Sequence, residues 1–474
     1  MTTAHPSVAI VGAGITGLTA AFRLRQRGVP VTVYEASARP GGVIRSLRRD
    51  GYLAEFGPNS VLDISPVIRD LIRDLGLESR RLYSDPGAEN RYLVRWKRPV
   101  QMPASPPRFL TCELFSWKAK LALLREPFVR AKTEDTEESV ASFVLRRLGR
   151  EWLDYAINPM IAGIYAGDPE RLSVQHGFPK LAALEKRYGS LIKGQILGAR
   201  ERKRKGEVSK QDAKKISFDE GLQVLTDTLH AKLGQAVELR NPVERIARSN
   251  GGWTVSSAAG ERRHSAVLLA APAHRLAALE LADDPAGGLA FLGEIKYPPV
   301  ASVVLGYRRQ DVAHPLDGFG MLVPAAEGLR ILGALYSSSL FPNRAPAGHV
   351  TLTSYVGGTR APELARLPED ELVALTDGDL RQLLGITGAP VFRHVMVYER
   401  AIPQYELGYG RFKDRMADLE RRMPGLYFAG HYRDGISLAD SMLSGDAVAG
   451  RIAGRLNQHE NEASQQPDGI KPAP

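Results

Sequence analysis

The first apolar run, Ser7 to Val11 (SVAIV), is short and β-branched and enters Gly12-Ala13-Gly14-Ile15-Thr16-Gly17. From Leu18 to Arg27 apolar residues recur at helical spacing, and Gly28 closes the helix. Val31 to Tyr34 (VTVY) reads as a second strand, with Glu35 directly after it. Strand, turn, helix and strand within about thirty residues make the βαβ unit of a parallel sheet. Gly51 to Ser60 reads as a strand and a turn, and residues from about 109 to 206 read as mostly helical. An amphipathic helix is predicted after Ile216-Ser217-Phe218-Asp219-Glu220-Gly221, then short strands at Val237–Leu239, Val243–Ile246, Trp253–Ser256 and Ala266–Ala271. A β-rich stretch follows at Val300–Tyr307, Gly320–Val323, Ile331–Tyr336 and Val350–Val356. Near the end, Gly425–Ala429 is a predicted strand and Ser441–Leu456 a helix, with a polar tail expected to be disordered after Asn457. The pattern is that of an α/β protein.

The 474 residues imply two to four domains at roughly 100–200 residues each. A single cysteine, Cys112, excludes an internal disulfide framework and multi-cysteine zinc or iron–sulfur sites. The formal charge of +10 is uneven. Lys186 to Lys215 holds eleven Lys/Arg against three Asp/Glu, and Arg91 to Lys132 holds ten against two. An anionic membrane surface, nucleic acid and a simply solvated helix or loop are all compatible with such clusters. They carry no recognised nucleic-acid motif and no regular interleaving of aromatic residues, so a nucleic-acid partner is not expected. No stretch approaches the ~20 apolar residues of a membrane span, and no signal or transit pattern precedes Ser7. A cytoplasmic protein, able to lie peripherally on the cytoplasmic membrane, is the expectation.

Gly12-x-Gly14-x-x-Gly17 has the setting a dinucleotide fingerprint requires. Gly12 permits the tight turn, Gly14 lets the backbone approach a pyrophosphate, and Gly17 lets helix and strand pack closely. Glu35 stands where a carboxylate accepts hydrogen bonds from ribose hydroxyls. A second glycine pair follows in Ala38-Arg39-Pro40-Gly41-Gly42. A nicotinamide enzyme does not need it, whereas a dinucleotide that continues into a flavin can use the close approach Gly42 allows.

These two glycine motifs joined by Glu35 resemble the FAD-binding start of the amine oxidase and phytoene desaturase superfamily. Later segments, in family order, resemble protoporphyrinogen oxidases within it. They are Glu55–Ser60, Asn90–Leu93, Gly163–Asp168, Gly318–Pro324, Ala401–Tyr405 and Gly435–Asp440. The resemblance runs from about Ser7 to Ala453. It implies a Rossmann-like, discontinuous FAD-binding domain (1–60, 215–272 and 414–456), a β-rich substrate domain (61–91 and 273–413) and a helical, basic, membrane-facing domain (92–205). The implied activity is oxidation of protoporphyrinogen IX to protoporphyrin IX by three two-electron steps, with oxygen as acceptor, in haem or chlorophyll biosynthesis. Coproporphyrinogen III oxidation is the near alternative, and another flavin amine oxidase or desaturase a more distant one.

Position by position, the resemblance implies that Gly12, Gly14, Gly17, Glu35 and Gly42 bind FAD and that the Val243 backbone meets its adenine. Gly57, Pro58, Asn59, Ile436, Ser437 and Leu438 are implied around the flavin. Asn59 and Gly163 are implied at the substrate, with Arg91 pairing a propionate and Phe319 and Leu322 holding the tetrapyrrole ring. A guanidinium suits a carboxylate and a macrocycle needs apolar walls. Two positions depart from the pattern. His431 follows Gly430 where asparagine is common, and is either a flavin contact or a polar substitute. Met442 stands where relatives often have cysteine, so FAD is expected to be non-covalent. No catalytic residue or metal-ligand set is singled out, and an oligomer is compatible with the sequence.

Overall fold

Val8–Val11 is buried on both sides, as its unbroken apolar text requires. Val8 and Ile10 join one core while Ala9 and Val11 join another on the opposite face. In the computed structural model, which describes residues 7–465 except 104, 133–135, 206–212, 250, 283 and 285–286, this strand is the centre of a five-stranded parallel sheet. The order across it is Val237–Glu238, Val31–Tyr34, Val8–Val11, Ala266–Leu269 and Leu426–Phe428. The first core packs helices Ile15–Gln26, Gln223–Leu233 and Leu438–Gln465 on one face. The second lies beneath the four-stranded sheet that carries Val243–Ser249.

A seven-stranded sheet stands beside this unit, in the order Phe392–Tyr398, Val300–Arg308, His349–Gly357, Ile331–Leu335, Gly318–Leu322, Asn90–Arg95 and Arg98–Gln101. All neighbours are antiparallel except Gly318–Leu322 with Asn90–Arg95. Period-two alternation divides its faces. Ala301, Val303, Leu305 and Tyr307 pack against helix Glu369–Leu384, whereas Val304 turns to Tyr52 and Phe56 of the other unit.

Three expectations about boundaries change. Val61, Ile68, Leu71, Ile72, Leu75 and Leu77 pack into the core of the parallel sheet, not with the β-rich unit to which 61–91 had been assigned. The strands Asn90–Arg95 and Arg98–Gln101 carry the β-rich sheet past residue 91, so the helical region starts at Pro106. The last helix runs to Gln465, eight residues beyond the expected start of the tail, and residues 466–474 lie outside the described ones. Helices from Pro106 to Lys205 fill the third region, with one π-helical turn at Leu153–Ile157. The side chains of its last basic run, Arg202 to Lys205, lie outside the described residues.

A buried ionic network holds that helical region together. Arg147 donates to Glu126 at 2.7 Å, to Glu185 at 2.7 Å and to the Gly189 carbonyl at 2.6 Å, with no side-chain exposure. Glu126 also accepts from the backbone N–H groups of Leu191 and Ile192, which begin helix Leu191–Lys205. These hydrogen bonds hold its carboxyl below the usual range despite burial.

Candidate active site

The turn after Val8–Val11 is built for a phosphate. Gly12 has φ +107°, and a Cβ there would lie 2.9 Å from the Ala271 nitrogen. A Cβ on Gly17 would lie 2.0 Å from the Gly12 carbonyl oxygen, so turn and helix touch backbone to backbone. Gly14 is different. It is the N-cap of helix Ile15–Gln26, with ordinary φ −71°, and an added Cβ would meet nothing within 4 Å. No side chain caps the helix and no acidic residue occupies its first turn. Its leading N–H groups face an open cradle of positive potential.

Glu35 closes one end of the cradle. One carboxylate oxygen accepts the Ala13 N–H at 2.7 Å, and the other accepts the Ser37 N–H at 2.8 Å. The Glu35 carbonyl accepts from Asn241, two residues before Val243, which opens the strand Val243–Ser249. The second glycine motif closes another side. Gly41 donates to the Ala13 carbonyl at 2.8 Å, and Gly42, with φ +59°, lies so close that its Cβ would be 3.5 Å from the Gly14 Cα. Arg39 donates to the carbonyls of Pro40, Ile44 and Gly42, drawing this loop around its guanidinium. Sequence reasoning did not single out Arg39.

The C-terminal loop joins from the other end of the chain. Ser437 caps helix Leu438–Gln465 by accepting the Asp440 N–H at 3.1 Å, which places Ile436, Ser437 and Leu438 at its entry. Thr16 donates to the Ser441 carbonyl at 3.1 Å, fastening this entry to the first helix. Tyr405 braces the loop, donating to the His431 carbonyl at 2.5 Å while accepting the Gly435 N–H at 3.0 Å. His431 turns its Nε2 to the Tyr297 hydroxyl at 3.3 Å, and burial, helped by His274, pushes its pKa down to about 4.

Gly57, Pro58 and Asn59 form the loop after strand Tyr52–Glu55. The Gly57 carbonyl accepts from the Asn59 amide and the Tyr355 hydroxyl, each at 2.9 Å, and Asn59 also bonds that hydroxyl. Tyr398 donates to the Val43 carbonyl, so this loop meets the second glycine motif. Tyr355 and Tyr398, unmarked by any motif, stand on the inner face of the large sheet. Burial raises both hydroxyl pKa values, that of Tyr398 to about 12. Glu55, just before the loop, is almost fully buried beside Arg344. Its pKa rises to about 7 because desolvation outweighs Arg344, the Ser46 hydroxyl and the Leu222 N–H.

From Tyr355 the large sheet leads outward. Tyr355 is paired with Gly333, Gly333 with Leu322, and Leu322 with Leu93. Gly163, on helix Asn158–Tyr165, lies against Leu322, where its Cβ would be 2.4 Å from a methyl group. Arg91 is exposed and sits across from Gly320, with a bulge between Gly318 and Gly320. Phe319 and Leu322, expected to act together, enter different clusters. Phe319 packs with Ala88, Leu340 and Phe341, and Leu322 with Leu93 and Phe115. Residues three apart on one strand face opposite ways, so the two side chains leave its opposite sides.

The cradle fits FAD. It offers an uncapped helix N-terminus, open space over Gly14, a carboxylate at the strand end and a second glycine loop alongside. Cys112 lies elsewhere, packed with Leu114 and Phe115, and Met442 is buried in the first core.

Comparison with known proteins agrees with this geometry. The model of the flavin-containing amine oxidoreductases matches residues 15–453. Protoporphyrinogen oxidase 2, chloroplastic/mitochondrial, of Arabidopsis thaliana is 34% identical over 487 residues, covering 96% of this chain and 95% of the relative. Coproporphyrinogen III oxidase of Staphylococcus aureus is 30% identical, covering 95% and 99%. A crystal structure from Exiguobacterium sp. 255-15, provisionally assigned as a protoporphyrinogen oxidase, superposes with a TM-score of 0.80 at 23% identity, covering 95% and 99%.

Proposed function

Since the chain belongs to the flavin-containing amine oxidoreductase family and is an FAD-dependent oxidase, we propose that it oxidises protoporphyrinogen IX to protoporphyrin IX, with molecular oxygen as the final acceptor. One arrangement carries the reading. The strand of Phe319 and Leu322 lies between the strand of Arg91 and the sheet face where Tyr355 holds Asn59 and Gly57. A cation, apolar surface and the flavin-side loop thus occur in sequence across one sheet, as a carboxylate-bearing macrocycle requires.

FAD, when bound, supplies a two-electron acceptor at its isoalloxazine ring. Six electrons leave the substrate in three rounds, each removing a hydride equivalent from a meso carbon and a proton, the three protons coming from two pyrrole nitrogens and, by tautomerisation, from the remaining meso carbon. Each round consumes one oxygen, which takes two electrons and two protons to give peroxide. The chain's part is placement. Arg91 anchors a propionate, Leu322, seated on Gly163, offers an apolar edge, and Tyr355 fixes the loop that borders the reacting end. No side chain is assigned as proton acceptor. Turnover of protoporphyrinogen IX, followed by porphyrin fluorescence with coproporphyrinogen III alongside, tests the reading. Preference for the first supports it. Preference for the second moves the enzyme to the step implied by its similarity to the staphylococcal relative. Turnover of neither by FAD-loaded protein refutes both.

Peripheral contact with an anionic membrane is part of the same proposal. Trp117, Leu121, Leu124 and Phe128 follow one another at helical spacing and are all exposed, Phe128 by 86%. Lys118 and Arg125 are exposed beside them, and Lys193 stands 6.0 Å from the Phe128 ring. Apolar side chains flanked by cations favour a headgroup boundary. Among the described residues no helix is long and apolar enough to cross a membrane. Binding to vesicles containing anionic lipid, lost in a Trp117→Ala/Phe128→Ala variant, is expected. Equal binding by that variant would refute this surface.

A further inference from the structure

Lys215 closes the basic region Lys186–Lys215 and begins the strand Lys215–Phe218. Its backbone is fixed on both sides, paired with Leu62 and accepting the Ser84 N–H at 3.0 Å. The two lysines at this point differ. Lys214 is exposed and stands 5.1 Å from the Tyr83 ring. Lys215 is half-buried, with its ammonium 5.1 Å from the centre of the Phe319 ring. Arg91 approaches the same place from another strand, across from Gly320, the residue after Phe319. Lys215 therefore stands at the Phe319 ring, and Arg91, from a separate part of the chain, lies near enough to repel it.

The electrostatics are consistent with that placement. Burial lowers the Lys215 pKa, the nearby Arg91 lowers it further, and Glu89 opposes them. The two cations are near enough to feel each other, and anionic groups held between them would be attracted to both. A single carboxylate would use one of them. The substrate proposed above carries two propionates, on neighbouring pyrroles.

We propose that Lys215 and Arg91 form a two-point anchor, each holding one propionate of the porphyrinogen, with Phe319 packed against the pyrrole edge between them. This rests on the porphyrinogen reading and adds to it a residue that positions substrate and selects for paired carboxylates. A lysine suits the second point because its ammonium is a compact charge on a flexible stem, able to follow a propionate arm.

The test uses FAD-loaded full-length protein, with protoporphyrinogen IX and its dimethyl ester as substrates. Lys215→Met should raise KM for the free acid roughly ten-fold, about 1.4 kcal/mol, with kcat little changed. Lys215→Arg should restore most of the affinity, and Lys214→Met should behave as wild type. For the ester, which has no carboxylate to hold, wild type and Lys215→Met should share one KM, a pattern that a merely structural role would not produce. An unchanged KM for the acid overturns the anchor, and so does an equal loss with acid and ester. Should Lys215→Met not fold, the wild-type comparison still decides, because equal KM for acid and ester also overturns it. Failure of wild type to oxidise any porphyrinogen refutes the underlying reading and the anchor with it. Turnover with an unmoved KM refutes the anchor alone.

Discussion

Two alanine substitutions three residues apart, Gly14→Ala and Gly17→Ala, should separate cofactor binding from folding. At Gly17 the new Cβ would lie 2.0 Å from the Gly12 carbonyl oxygen and 3.2 Å from a methyl of Ile10, where ordinary contact begins at 3.4 Å. Turn and helix would have to part by about 1.4 Å, and the closest collision is with backbone, which cannot swing aside. Overpacking of this kind costs about 1–3 kcal/mol, occasionally more. At about 2–4 °C per kcal/mol for a domain of 150–250 residues, the melting temperature should fall by roughly 2–12 °C. At Gly14 no protein atom lies within 4 Å and φ is ordinary, so the cofactor-free protein should melt as wild type does. The cost falls on the ligand, because the methyl occupies the space through which a phosphate reaches the helix N–H groups. Losing one charged hydrogen bond, about 1.5–3 kcal/mol, weakens FAD binding roughly 10- to 150-fold. Titration of FAD into cofactor-free protein and melting of that protein read the two effects independently. Wild-type FAD affinity in Gly14→Ala, or equal destabilisation by both substitutions, would refute the assignment of one glycine to the ligand and the other to packing.

Glu55 has a raised folded-state pKa, about 7 against 4.5 unfolded, so its contribution is complete below pH 4.5 and is lost as pH rises toward 7. Glu55→Gln should flatten that part of the stability–pH curve, by roughly 3 kcal/mol at most, in melts across pH 4.5 to 8. Arg147→Ala takes the guanidinium from the buried Glu126, while Glu185 keeps Arg146, and denaturant unfolding should show a loss of about 3–5 kcal/mol. Arg91→Ala should leave FAD bound while raising KM for the porphyrinogen roughly 10- to 150-fold, as expected for one charge-assisted hydrogen bond; steady-state kinetics at constant ionic strength measure it.

The parts of this molecule that sequence displays well are those whose causes are local. Val8–Val11, the three glycines and Glu35 lie within one βαβ unit, where turn geometry and periodicity are written in adjacent residues. Tyr355 and Tyr398 are invisible there. Each owes its role to a partner far along the chain, and alternation along a strand says which residues share a face, not which face meets the cofactor side. The strand Phe392–Tyr398 and the pair Asn90–Arg95 and Arg98–Gln101 escaped notice because their neighbours in the sheet are remote in sequence. The division of Phe319 from Leu322 follows from a spacing of three along one strand, which alternation expresses once both are placed in it. Lys215 looked like the end of a charge run, and its setting depends on Phe319 and Arg91 approaching from elsewhere.

The strand order of the parallel sheet also constrains how the protein is made. Val8–Val11 leaves the ribosome first, yet its neighbour on one side is Ala266–Leu269, and the sheet ends with Leu426–Phe428. The first helix waits longer still, since it packs along Leu438–Gln465 and Thr16 bonds Ser441. Nascent chains therefore carry the phosphate turn without this partner until Ser441 has been made, with loop closure over more than four hundred residues still ahead. C-terminal truncations ahead of Leu438 lack the partner of the first helix and should accumulate without bound flavin.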